Sequence, residues 1–323
     1  MKTLVTGGAG FIGSHLVDRL VERGDAVTVF DDLSTGSRTN VAQHAEGDSV
    51  HLIEGTILDE HAVEELVARH DRVFHLAAAV GVAHILADPL GSMLVNGRGT
   101  ENVLAACARH GRKVVVASSS EVYGKTDRVP MHEDDDRTLG STAVRRWSYA
   151  TAKALDEHLA LAYADHGLRT AIVRYFNIYG PRMDPRGYAS VMANFLRQAS
   201  SGQALSVYGD GQQTRCFTYI DDCVTGTMLA IETAAAEGRV INIGNQATET
   251  TISDLARIVV EASGSDSQIE FESYESHFGP GFEDARRRVP SSKRATELLG
   301  WTASIGLAEG LRRTLEWWPA RQP

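Results

Sequence analysis

The chain has few cysteines, no long apolar run and a deficit of basic charge, and each shortage removes a class of protein. Its three cysteines, Cys107, Cys216 and Cys223, show no paired spacing. That argues against a disulfide-stapled scaffold and a thiolate zinc site, and the scattered histidines lack metal-ligand spacing too, so no metal is expected. A reducing, cytoplasmic setting fits best. Nowhere do about eighteen apolar residues run together, and the opening "MKTLVTGGAGFIG" is broken by four glycines, so neither a membrane span nor a signal-peptide core is expected. With 42 acidic against 32 basic side chains the formal charge is −10, a field that repels nucleic acid and anionic membranes. Any anionic ligand must be gripped by locally clustered arginines. Internal repeats and low-complexity tracts are absent.

What is present is the composition of a folded globular chain. Hydrophobic residues make up 43% and charged residues 23% of 323, enough for one large domain or two unequal lobes. Strand-length apolar runs alternate with helical patterns: Thr3 to Thr6 then Phe11 to Arg23, Val27 to Phe30, His51 to Glu54 then Ala62 to His70, Val73 to Leu76 then a long helix through "NGRGTENVLAACARHG", and Val114 to Ala117. Such alternation predicts an α/β fold with a doubly wound parallel sheet covered on both faces. A helix from about Tyr149 to His166 and a strand Thr170 to Phe176 continue it. Past "NIYGPR" the strands shorten and loops multiply around helices such as Tyr188 to Ala199 and Ser253 to Ala262. A first lobe over residues 1–176, with 221–250 returning to it, and a smaller mixed lobe over 177–220 and 251–323 are therefore expected. The acidic "HEDDD" run, His132 to Asp136, reads as a solvated loop without chemistry.

Two local patterns carry chemistry. In "TLVTGGAGFIG", Gly7 permits a tight turn, Gly10 lets backbone approach a pyrophosphate and Gly13 allows close helix packing, with the helix N-terminus aimed at the anion. The next strand ends in Asp31, placed to accept from a ribose diol and to repel a 2′-phosphate, which favours NAD over NADP. Tyr149 and Lys153 lie four apart on one helical face, where an ammonium favours the phenolate and makes the phenol a candidate base. The hydroxyl-rich "SSSEVYG" falls at a strand's C-terminal end, where open parallel sheets bind ligands.

With these motifs, and with "HLAA", "RYFNIYGPR", "YGDGQQTRCFTYIDD" and "RRRVPSSKRATELLGW" in order along nearly the whole chain, the sequence resembles the extended short-chain dehydrogenases/reductases, in the branch of nucleotide-sugar epimerases, dehydratases and decarboxylases. The resemblance implies a Rossmann domain, bound NAD, a nucleotide-sugar substrate and a homodimer joined through helices at about Asp88 to His110 and Tyr149 to His166. It implies that Ser119 bonds the sugar 4-oxygen, Tyr149 takes the 4-hydroxyl proton, and Lys153 supports Tyr149 and the nicotinamide ribose. By the same resemblance Phe11, Ile12, Asp32, Ser34, Thr35, Ile57, Leu76, Ala77, Ala78, Asn96 and Tyr175 join the cofactor site. Ser120, Asn177, Arg182, Val191, Val207, Tyr208, Arg215 and Arg288 join the substrate site. Glu121 in "SSE" resembles the acid of UDP-glucuronate decarboxylases, and Arg288 their Arg-x-Pro arginine, which makes decarboxylation of UDP-glucuronate to a UDP-pentose the leading expectation. UDP-glucuronate 4-epimerisation, which needs only Ser119, Tyr149 and Lys153, is the alternative; a 4,6-dehydratase and a non-catalytic dinucleotide-binding regulator stand behind it. Arg286 and Arg287 read as solvated loop residues and Cys216 as strand packing. Where many relatives have Gly-Asp-Ile after the third strand, this chain has Gly55-Thr56-Ile57, so the adenine contacts there are in doubt.

Overall fold

The structure, a computed structural model, describes all residues except 45–46, 82–84, 86, 185–189, 279–282 and 319–323. The strands β1 (Lys2–Thr6), β2 (Ala26–Asp31), β3 (Val50–Glu54), β4 (Arg72–His75), β5 (Lys113–Ser119) and β6 (Thr170–Tyr175) are joined in one parallel sheet by β11 (Arg239–Ile243), in the order β11-β6-β5-β4-β1-β2-β3. Their apolar runs lack simple alternation because both faces are covered. Leu4, Phe30, Val73, Val114, Val116 and Ile172 point to one face, and Val5, Val29, Phe74, Val115 and Val173 to the other, in two separate cores.

Helices α2 (Glu60–Ala68), α4 (Thr100–His110) and α5 (Trp147–Asp165) cover the first face; α1 (Phe11–Glu22) and α7 (Ile220–Glu232) cover the second. The helix α2 starts earlier than its apolar pattern, because Asp59 caps it by accepting from Ala62 N at 3.1 Å. The long helix expected before β5 is α3 (Pro89–Leu94), a π-helical stretch Val95–Gly99 and then α4. Of the helix expected from Tyr188, residues 188 and 189 lie outside the described residues; α6 (Val191–Ser200) starts behind the cap Ser190.

Beyond β6 the chain builds a smaller layer. β8 (Leu205–Tyr208) pairs with β13 (Ile269–Glu272), and β9 (Thr214–Cys216) sits between β12 (Glu249–Thr251) and β14 (Arg287–Arg288). Between them run α8 (Ile252–Ser263) and, near the end of the chain, α9 (Leu307–Trp317). The Asp222 carboxylate of α7 anchors the segment before α9 by accepting from Ser304 N at 3.1 Å, Ser304 Oγ at 2.9 Å and Ile305 N at 2.9 Å.

The acidic run corrects the expectation of a solvated loop. Glu133 is buried, accepting from Asn242 N of β11 at 2.9 Å, and the half-hidden Asp135 accepts from His132 N at 2.7 Å and pairs with Arg128. Local charge density could not reveal it: the partner of Glu133 lies 109 positions downstream.

Candidate functional site

A cavity of about 1070 Å³ opens along the C-terminal ends of β1, β2, β4, β5 and β6, and its wall continues into the smaller layer. One end is the glycine loop. Gly7 has φ +70°, and a Cβ there would lie 2.6 Å from Ala77 N, so two backbones touch. Gly10 precedes α1 without any side-chain cap, which leaves first-turn amides facing the cavity. Asp31 lines the wall beyond and is held by Ala9 N and Leu33 N, each at 2.9 Å. Burial raises its pKa, and those amides oppose the rise.

The opposite end holds the hydroxyls and the phenol. Ser119 Oγ accepts from Glu121 N at 3.2 Å and lies on the wall with Ser118, Ser120, Tyr149 and Lys153. Ser118 turns into a buried network through Glu157, which Arg174 holds with two hydrogen bonds at 2.8 and 2.7 Å. Burial raises the pKa of Tyr149, opposed by the Lys153 charge and a hydrogen bond with Ser119. Lys153 is buried, donating to Ala117 O at 3.0 Å and to Asp156 Oδ2 at 3.0 Å. Burial alone would lower its pKa, but Asp156 and Tyr149 outweigh it and the net shift is upward, so an ammonium stands beside the phenol.

Glu121 sits between two arginines, bonded to Arg288 Nη1 and 3.4 Å from Arg146 Nη1. Burial would raise its pKa, but the two guanidinium charges push it down to about 2. Arg288 is buried, and its Nε and Nη2 have no hydrogen-bond partner among the described residues although it lines the cavity. Around this pair Asp284 takes Arg146 at 2.8 Å and Arg215 at 2.7 Å. Three guanidinium groups thus face two carboxylates, a local cationic excess inside an acidic protein.

Of the residues singled out from the sequence, Gly7, Gly10, Phe11, Ile12, Gly13, Asp31, Asp32, Ser34, Thr35, Ile57, Leu76, Ala77, Ala78, Tyr175, Asn177 and Arg182 line this cavity with the Ser119–Glu121, Tyr149, Lys153 and Arg288 cluster. Asn177 and Arg182 have left-handed backbones, φ +42° and +65°, and Arg182 is tied to Asp18 at 2.6 Å. Five residues lie off the wall. Asn96 stands behind it, its π-helical position letting it bridge Ala79 N and O at 2.8 and 3.1 Å. Val191 flanks the wall residues Ser190 and Ala193. Val207 is wholly buried with Leu205 on the inward face of β8, and Tyr208 leans on the Tyr274 ring. Arg215 is tied to Asp284 and lies beside its strand neighbour Arg288, near enough for its charge to act on Glu121. Thr56, at the departure from the relatives' pattern, lines the cavity. Arg286 and Arg287 are exposed and paired with Asp210 and Glu249, and Cys216 is packed inside.

Sequence reasoning missed Arg146, Asp156 and Asp284. Arg146 and Asp156 could have been sought three positions before Tyr149 and three after Lys153, on the same helical face. Asp284 carries no local signal, since its partners come from α5's start and β9.

The loop, the open helix terminus, the buried Asp31 and the ammonium beside a phenol together fit a dinucleotide in this cavity. A family model described as "NAD dependent epimerase/dehydratase family" matches residues 3–244. A UDP-N-acetyl-alpha-D-glucosaminuronate decarboxylase of Bacillus cytotoxicus is 42% identical over 98% of this chain and 97% of its own length. A UDP-glucuronic acid decarboxylase 1 of Xenopus tropicalis is 34% identical over 98% of this chain and 72% of its own. Among solved structures, a UDP-glucose 4-epimerase of Thermotoga maritima crystallised with UDP-glucose superposes with a TM-score of 0.89 at 33% identity, covering 99% of both chains.

Proposed function

Because the chain belongs to the NAD dependent epimerase/dehydratase family, we propose that it decarboxylates a UDP-linked uronic acid by way of a 4-keto sugar. The observation that carries this reading is Arg288: a buried guanidinium with two nitrogens unpartnered among the described residues, beside the ionised Glu121 and lining the same cavity as Ser119 and Tyr149. A buried cation with spare donors is costly unless an anion meets it, and a planar fork suits a carboxylate or a diphosphate.

When bound, NAD would supply a hydride acceptor for C4 and, once reduced, a hydride donor. Ser119 holds the 4-oxygen. Tyr149, whose phenolate the Lys153 ammonium and Ser119 favour against the burial that raises its pKa, takes the 4-hydroxyl proton. The resulting ketone stands β to the C5 carboxylate, so CO2 leaves as its bonding electrons pass into an enolate, which then gains a proton from solvent at C5. Glu121, kept ionised by Arg288 and Arg146, is suited to orient those arginines rather than to give or take a proton. Asp31 presents a carboxylate to the adenosine ribose, which favours NAD over its 2′-phosphorylated form.

The reading includes a homodimer. Leu90, Met93 and Leu94 on α3 and Leu155 on α5 are exposed together, Leu155 lying over Gly97, and a second copy of the chain is the partner that would cover them. Sedimentation at the mass of one chain would refute that part.

Incubation with NAD and either UDP-glucuronate or UDP-N-acetylglucosaminuronate, followed by mass and proton-resonance analysis, tests the reaction. Loss of the mass of CO2 supports it; an isomer of unchanged mass would mean 4-epimerisation instead. Tyr149→Phe is expected to abolish turnover while NAD stays bound.

A further inference from the structure

The polar stripe that Lys153 belongs to runs deeper than the cavity. Asp156, one turn along α5, is completely buried, and its Oδ2 accepts from Lys153 Nζ at 3.0 Å. Its Oδ1 has no hydrogen-bond partner among the described residues; behind it lies Thr100 of α4, near enough to oppose the burial that raises its pKa, which meets His75 Nε2 at 3.0 Å, while His75 Nδ1 meets Thr6 Oγ1 at 2.8 Å. Thr6 Oγ1 is in turn the acceptor for Ala77 N at 3.3 Å, at the foot of the glycine loop. Burial pushes the His75 pKa down to about 3, so it is neutral and carries one ring proton. A consistent run of donors follows: the Thr6 hydroxyl gives to Nδ1, Nε2–H gives to Thr100, and the Thr100 hydroxyl is free to give to Asp156. The arrangement ends on a carboxylate opposing the ammonium that Tyr149 depends on.

We propose that Asp156 is a positioning residue that fixes the Lys153 ammonium and, by opposing its charge, governs the ionisation of the Tyr149 phenol. Lys153 has three N–H donors; Ala117 O and Asp156 take two, which leaves one directed by geometry rather than by chance. Asp156 also acts at a distance, since its negative charge disfavours the Tyr149 phenolate that Lys153 favours. The other charged or titratable groups around this helix face are Glu121, just past the end of β5, Glu157 of α5, which Arg174 of β6 neutralises, and neutral His75 of β4. None of these replaces Asp156 as the anion on Lys153. The proposal rests on Tyr149 being the base.

The test is the pH dependence of NAD reduction at 340 nm in a single turnover, on holoenzyme with the nucleotide sugar that the wild type oxidises. Asp156→Asn keeps the shape and the acceptor but removes the charge. Two effects are expected together: a lower plateau rate from a less tightly held Lys153, and an acid limb moved to lower pH by about one unit, the effect of deleting one charge roughly two helical turns from the phenol. Thr100→Val, which withdraws support from the ionised carboxylate, is expected to move the limb the same way by less, and serves if the first variant does not fold. A limb that stays in place means a structural role only, and a limb moved upward means that Asp156 merely helps Lys153 reach Tyr149; either overturns the proposal. A wild type that reduces no NAD with any nucleotide sugar would instead sink the reading of the site itself.

Discussion

Gly10 and Gly13 of the first loop make different demands, and two substitutions separate them. In Gly13→Ala the new Cβ would lie 2.1 Å from Gly7 O and 2.7 Å from Gly8 Cα. Both are backbone atoms, so α1 and the loop must part by about an ångström, an overpacking cost of about 2–3 kcal/mol. At about 2 °C per kcal/mol for a chain of this size, Tm falls by about 5 °C. In Gly10→Ala the Cβ meets only Gly7 O, at 3.2 Å, on an extended backbone of φ −76° and ψ 179°. Its stability is expected to change by less than about 1 kcal/mol. Gly10 nevertheless fronts the open first turn of α1, where a methyl group would hold a diphosphate off the amides. At NAD a hundredfold above the wild-type Kd, the ligand adds about 2.7 kcal/mol of stability; a variant binding a hundredfold more weakly keeps about 0.4 kcal/mol at the same concentration. Thermal unfolding with and without NAD therefore distinguishes the two: Gly10→Ala melts near the wild type alone but loses the NAD-dependent rise, whereas Gly13→Ala melts low under both conditions. Equal losses without ligand, or a full NAD-dependent rise in Gly10→Ala, would refute this account of the loop.

Asp222→Ala leaves Ser304 N and Ile305 N without their acceptor, and a loss of about 3 kcal/mol in urea unfolding is expected, with faster amide exchange at those two residues; unchanged exchange would contradict the anchoring role. Burial pushes the thiol of Cys216 up to about 12 and those of Cys107 and Cys223 higher still, so no thiol should react with an aromatic disulfide reagent in the native state at pH 8 and three should react in guanidinium. Rapid labelling of the native protein would show that one of these segments opens.

Where a requirement is local, the chain displayed it in sequence. The strand, the glycine turn and the helix start are contiguous, and Asp31 follows at the next strand's end, so the lining of the glycine-loop end of the cavity could be read almost residue by residue. Tyr149 and Lys153 were legible because a helix turns four-residue spacing into proximity. What escaped depends on chain segments meeting from far apart. Glu133 looked solvated until Asn242 and Arg174 came over it. Val207 and Tyr208 were assigned to the ligand from their strand, yet Val207 faces the core that β8 shares with α6 and α8. Asn96 was placed in the site, but the π-helical stretch sets it behind the wall, an added residue in the helical register that no periodicity announces. Asp156 was visible as an acidic neighbour of Lys153, but an exposed pair and a sealed one have the same spelling.

The strand β11 arrives after the chain has already begun its smaller layer, and it hydrogen-bonds β6 from Arg239↔Ala171 to Ile243↔Tyr175. A fragment stopped at residue 176 would therefore bare five consecutive rungs of a ladder, a sticky seam open to any passing strand. Neither half of this protein is a spare part. The nucleotide-gripping portion is threaded through the other like a stitch, so swapping it for a foreign one would require carrying that edge along with it.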